Sequence, residues 1–301
     1  MDELANKQVV LGTVSRGKHR MNHKLLVINC DDVGMAHSID RAAFHALENR
    51  AISSASVMVP CPWFMEVASY LRGRRDLDIG IHLTLTSQSK VYKWGPITAK
   101  ERVPSLLDPN GFFWPEASLV IRHVDAEQVR LEIRQQIELA MRVGIEPTHV
   151  DSHMWTLLRS PALVDVYLSV AEEYHLPPRV LPNQHSSLLK NGIRLDMLPF
   201  VRNIGIQQDV QPARWADFYQ QVIDRLEPGI TELIVHLGFD DAELRALTVG
   251  RPGWDAPWRQ RDFDVITSPE FNELLQRNNV TRIGWREVRE HCSAMTSTIA
   301  S

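Results

Sequence analysis

Short, wholly apolar runs that end on polar residues, each followed by a helical pattern, limit this chain's fold more than anything else. Leu25-Leu26-Val27-Ile28 carries no residue suited to water, as expected of a parallel strand covered on both faces. The run breaks at Asn29-Cys30-Asp31-Asp32-Val33-Gly34, where the glycine marks a turn. Ser38 then stands where it caps a helix bearing Ile39, Ala42, Ala43, Ala46 and Leu47 on one face. Ser56-Val57-Met58-Val59 predicts a second strand, stopped by Pro60, and Pro62 suits the first turn of a helix reaching about Leu71. Ile79-Gly80-Ile81-His82-Leu83-Thr84-Leu85 predicts a third strand.

Farther along, residues 124–143 return to helical spacing with Val129, Ile133, Ile137, Ala140 and Met141 as the stripe, closed by Gly144. Thr148-His149-Val150-Asp151-Ser152-His153 predicts a short strand, and 162–174 a helix followed by extended Arg179-Val180-Leu181. Residues 215–226 and 269–277 predict helices and Glu232-Leu233-Ile234-Val235-His236 a strand, while 183–211 has no readable period. Between 87 and 118 four prolines and several aromatics break the pattern, and a structureless stretch of that length is usually a lid or a substrate wall. Strands alternating with helices predict an α/β layer or barrel of mainly parallel strands. We expect a single catalytic domain over 24–301 preceded by a flexible extension, 1–23.

Composition narrows the class of function. The 301 residues are 44 % hydrophobic and 23 % charged, an ordinary globular balance, and are numerous enough to bury a core without disulfides. A formal charge of -4, with basic clusters such as Arg72, Arg74 and Arg75 offset by Asp76 and Asp78, offers no face for nucleic acid. No run approaches the roughly 20 apolar residues of a membrane span, and the first twenty residues hold no secretory core. Cys30, Cys61 and Cys292 are too scattered for a redox or metal motif, so we expect reduced thiols in a cytoplasmic protein.

Chemistry concentrates where the strands end. Asp31 and Asp32 are adjacent carboxylates that repel unless a positive group lies nearby, which suits one metal ligand and one base. Taken alone, they equally suit a turn and helix cap before Gly34. His82 alone would be a hydrogen-bonded core residue, but His149, Asp151 and His153 alternate along a strand and so share a face. Burying them together is costly unless a cation or a network satisfies them, and one carboxylate with two imidazoles is a recognised site for a divalent metal. His236 ends a strand as a proton donor or as a core residue. Thr84 would orient His82 or substrate, or is simply a strand-favouring residue, and Trp155 and other loop aromatics offer faces for sugar rings.

These segments together resemble the YdjC-like carbohydrate deacetylases, which include the chitooligosaccharide deacetylases. The likeness rests on Asn29-Cys30-Asp31-Asp32-Val33-Gly34, on Gly80-Ile81-His82-Leu83-Thr84-Leu85-Thr86 and on Pro147-Thr148-His149-Val150-Asp151-Ser152-His153, in that order. Glu232 to His236 and the stretch around Trp285-Arg286-Glu287 extend it. The resemblance implies a TIM-barrel-like (β/α) fold and one divalent metal, magnesium or zinc, held by Asp32, His82 and His153. It assigns Asp31 as base and His236 as acid, with Thr84, His149, Asp151 and Trp155 beside a small carbohydrate. This chain departs from the family pattern at Met154-Trp155 and at Leu237-Gly238. The expected reaction is removal of an N-acetyl group by metal-activated water, in a monomer or a homodimer. Hydrolysis of a phosphoester or glycosidic bond, or sugar binding without catalysis, are the competing readings. The first lacks a basic cradle near the site, and the second wants carboxylates on opposite sides of the sugar.

Overall fold

The computed structural model describes residues 23–181, 201–251 and 253–291; Cys292 and the expected extension up to residue 22 lie outside these. The described strands are β1 (Lys24–Val33), β2 (Ser54–Val57), β3 (Ile79–Leu83), β4 (Val150–Ser152), β5 (Val201–Gly205), β6 (Gly229–Val235) and β7 (Val280–Arg282). They form one sheet in the order β4-β3-β2-β1-β6-β5, with β7 also on β1 and every pairing parallel. The segment after Leu176 lengthens the sheet beyond β4, because Val150 N donates to Pro177 O at 3.0 Å and Arg179 N to Val150 O at 2.8 Å. The sheet curls into a barrel-like shell with helices outside it, as the alternation of strand and helix predicts.

Around the sheet run α1 (His37–Glu48), α2 (Phe64–Leu71), α3 (Ala117–His123), α4 (Ala126–Arg142) and α5 (Pro161–Glu173). They continue as α6 (Trp215–Asp224), α7 (Ala242–Leu247), α8 (Ala256–Ile266) and α9 (Pro269–Arg277). Their apolar faces cover the outer side of strands such as Leu26, Ile28 and Cys30, all fully buried. The inner side has two layers. Leu25, Val27, Val201, Ile230, Ile283, Trp285 and Val288 form a separate apolar cluster at the start of the strands. Above it the same strands turn inward Asn29 and Asp31, Ser54 and Ser56, Asn203 and Glu232, all buried.

Some differences from the sequence expectation near the site have plain physical reasons. Strand β1 continues five residues past Ile28, since the polar side chains that seemed to end it find partners inside the shell. Asn29 Nδ2 donates to Asp31 Oδ1 at 2.8 Å, and Ser54 Oγ donates to Asn29 Oδ1. Helix α1 begins at His37 with Ala36 as its N-cap and no side-chain cap. The Ser38 hydroxyl instead reaches Asp241 Oδ1 and Glu243 Oε2, each at 2.7 Å, and ties α1 to the start of α7. The 87–118 stretch is a wall fastened to α4: Glu132 accepts from Ile97 N and Thr98 N, both at 3.0 Å. Of the unreadable region, 182–200 lies outside the described residues and 201–205 is β5.

Candidate metal centre

Strand β1 delivers Asp31 and Asp32 to the same end of the sheet but to different surroundings. Asp31 points inward with the alternation. Asp32 has a φ of 69°, the left-handed region that aspartate tolerates better than most residues, and this turns its carboxylate across the top of the shell. His82 arrives from β3. His153 follows β4 and opens a tight turn in which Met154 and Trp155 also take positive φ, 54° and 57°. All four residues are at most 5 % exposed.

Asp32, His82 and His153 each offer one atom within 4.8 Å of the others. Asp32 Oδ1 lies 3.4 Å from His82 Nε2 and 3.2 Å from His153 Nδ1, and those two nitrogens are 3.2 Å apart. Asp32 Oδ1 is buried yet makes no hydrogen bond. A carboxylate oxygen left in this state beside two imidazole nitrogens suits a divalent cation, which wants such oxygen and nitrogen donors. The cofactor expectation is met to that extent: buried acidic and histidine groups converge that could hold a metal ion. A second grouping, Asp31, His82 and Asp151, is equally tight. There a protein cation already stands, because Arg179 Nη1 is 2.9 Å from both Asp31 Oδ2 and Asp151 Oδ2.

The surrounding network sets the protonation of each group. Burial disfavours the charged form of Asp32, but Arg259, whose Nη2 lies 2.5 Å from Asp32 Oδ2, and then His153 and His82 hold it well below the usual carboxylate range. Burial likewise opposes the imidazolium of His82. Asp151 at 2.6 Å from its Nδ1, with Asp31, outweighs that and pushes its pKa up to about 10 in the metal-free protein. His153 is shifted down by burial despite Asp32, and its Nε2 sits 3.0 Å from Gln88 Oε1. Asp31 is gripped by both Nη atoms of Arg179 at 2.9 and 3.0 Å. The same guanidinium holds Glu232 of β6 through Nε and Nη2, each at 2.9 Å. One arginine thus compensates three buried carboxylates from β1, β4 and β6.

The other expected site residues surround the donors at varying distance. Asp151 is fully buried between His82 and Arg179. His149 stacks on Trp285 at 4.5 Å between ring centroids and bonds Thr148 Oγ1 at 3.0 Å; burial pushes its pKa down to about 3. Thr84 is fully buried, its hydroxyl donating to His82 O at 2.7 Å. Trp155 is half-buried with its ring 5.9 Å from the Arg179 guanidinium carbon. The His236 ring lies 6.3 Å from that of Trp254 and 5.8 Å from that of Trp258, and burial, with Arg259, lowers its pKa to about 4.

Sequence reasoning missed Arg179, Arg259, Glu232 and Gln88. Arg259 folds across Gly238, where a Cβ would stand 3.1 Å from the Arg259 Cβ, so the glycine after His236 makes room for it. A charged residue inside an otherwise apolar strand, as in Arg179-Val180-Leu181 and Glu232-Leu233-Ile234, was the available signal.

Known proteins share both the sequence and the architecture. The family profile described as YdjC-like protein matches residues 25–277. A carbohydrate deacetylase of Thermus thermophilus is 32 % identical over 89 % of this chain and 94 % of its own length. A chitooligosaccharide deacetylase of Yersinia enterocolitica is 26 % identical over 84 % of this chain and 95 % of its own. The crystal structure of an Enterococcus faecalis protein, described as a candidate for cellobiose-phosphate cleavage, superposes with a TM-score of 0.74. It is 27 % identical and covers 88 % of this chain and 99 % of its own.

Proposed function

Because the chain belongs to the YdjC-like protein family, we propose that it hydrolyses the N-acetyl group of an amino sugar or a short oligosaccharide. The observation that carries this reading is that the two adjacent aspartates face different partners. Asp32 faces His82 and His153 as a metal ligand, and Asp31 stands next to them held by Arg179. Binding alone does not call for a second, separately oriented carboxylate beside a metal site.

Asp32, His82 and His153 would hold a divalent ion, magnesium or zinc, which would supply Lewis acidity toward water and the amide carbonyl. Asp31 takes the proton of the attacking water, with its Oδ2 3.9 Å from His82 Nε2 and its orientation fixed by Arg179 and Asn29. His236 returns a proton to the departing amine. With a pKa of about 4 it starts neutral near pH 7, so it takes that proton up from solvent as negative charge develops on the acyl group. The C–N bond then breaks, and Asp31 gives the proton it took from water back to solvent as acetate and amine leave. Arg259 keeps Asp32 ionised and aimed. Trp155 and Trp254, both half-buried, offer the aromatic faces against which a sugar ring packs. Asp151, His149 and Thr84 act through the scaffold in this reading: Asp151 on the His82 ring, His149 within the inner layer, Thr84 on the His82 backbone.

The reading is tested by measuring acetate released from N-acetylated chitooligosaccharides, with and without a chelator. Wild-type protein releases acetate that the chelator abolishes. Asp31→Asn loses about 10²- to 10⁴-fold in turnover while keeping its metal. Silence on every such substrate with the metal fully loaded would sink the proposal, and loss of metal from Asp31→Asn would reverse the roles of the two aspartates.

A further inference from the structure

The two histidines of the centre present different nitrogens. His82 turns Nε2 toward Asp32, its Nδ1 being taken by Asp151. His153 turns Nδ1 toward Asp32 and leaves Nε2 facing outward, 3.0 Å from Gln88 Oε1. A neutral imidazole has one N–H and one lone pair, so the partner of the far nitrogen decides which nitrogen can ligate. Asp151 settles this for His82. For His153 the only acceptor so placed among the described residues is the side-chain amide of Gln88.

Gln88 is built to stay there. Its neighbours anchor the backbone on both sides: Ser87 Oγ accepts from Trp94 N at 3.1 Å, and Ser89 Oγ accepts from Tyr92 N at 3.0 Å. Ser89 Oγ also donates to Leu247 O at 3.2 Å, joining this loop to α7. We propose that Gln88 is a positioning residue that fixes His153 in its Nε2–H form and orients the ring so that Nδ1 is the metal donor. This rests on the metal-centre reading above, and it gives the 87–118 wall a role at the centre itself. Loss of such a partner typically weakens metal affinity by about 10- to 100-fold.

The test uses the full chain and zinc as the probe. Long-range proton–nitrogen correlation of the histidine rings reads the tautomer, and competition with a chromophoric chelator reads affinity. Wild-type His153 carries its proton on Nε2. Gln88→Leu loses the single tautomer and binds zinc about 10- to 100-fold more weakly. Gln88→Glu, which keeps an acceptor, restores both, a rescue that a purely structural role would not give. A proton on Nδ1 in the wild type, unchanged affinity in Gln88→Leu, or weak binding in Gln88→Glu overturns the proposal while the centre stands. Failure of the wild type to bind zinc in a manner lost in Asp32→Asn overturns the centre and this assignment together.

Discussion

Arg179 shows how much one side chain can determine at the scale of single residues. Its guanidinium neutralises Asp31, Asp151 and Glu232 within a space from which water is excluded. Arg179→Leu would leave three carboxylates facing each other, and removing one partner of such a buried set costs about 3–5 kcal/mol. Chemical denaturation should show a loss of that size, and a change below 1 kcal/mol would mean that water or rearrangement satisfies the acids. His82 gives a second prediction. Since its pKa is raised to about 10 without metal, capture of an ion must expel a proton at any lower pH. Apparent metal affinity should therefore rise about tenfold per pH unit between about pH 6 and 9. A flat profile in a calorimetric titration would show that His82 is already neutral. Arg259 was not legible in the sequence, because an isolated arginine ordinarily reads as a surface residue, and Arg179 left only the trace of a charge beside Val180 and Leu181. Asp31, Asp32, His82 and His153 were legible as motifs, since each sits at the polar end of an apolar strand.

At the scale of elements, what could be read followed from where the apolar side chains fall. Strands β1, β3 and β6 announce themselves by continuous apolar runs. Strands β5 and β7 do not: Arg202 and Asn203 interrupt the first, and Thr281 and Arg282 the second. Asn203 is polar because it serves the inner layer, where its Nδ2 donates to Glu232 Oε2 at 2.8 Å. Helix α8 was hidden for a related reason, as its buried face carries Arg259 and Asp262, the latter accepting from Tyr219 Oη at 2.6 Å and from His236 N at 3.0 Å. Strand β3 also contains a close approach of backbone to ring. A Cβ on Gly80 would collide with the His149 ring, which is wedged against Trp285. Gly80→Ala should thus destabilise by about 1–3 kcal/mol, and the thermal midpoint should recover when His149 is also made smaller. Additive losses in the double variant would refute that coupling.

At the scale of the whole molecule, a parallel shell places all its strand ends on one side, and residues distant in sequence meet there. That much follows from alternating strands and helices, and the superposition on the Enterococcus faecalis structure bears it out. What alternation cannot give is the closure of the shell. Among the described residues the sheet ends beyond β4 in the short Pro177–Arg179 pairing, and Arg179 reaches across the interior to β1 and β6. Ion pairs therefore join strands that share no backbone ladder with that edge.

The reach of Arg259 back to Asp32, 227 residues earlier, has a consequence for biosynthesis. A ribosome that has released only the first 250 residues has already delivered every atom that would grip an ion, yet Asp32 still lacks the partner that keeps it ionised and aimed. Cargo of this kind should thus be captured late, once the last sixth or so of the polypeptide has packed. A chain stopped before α8 should bind zinc far more weakly than the full one, and equal uptake by the two would show that the early strands suffice.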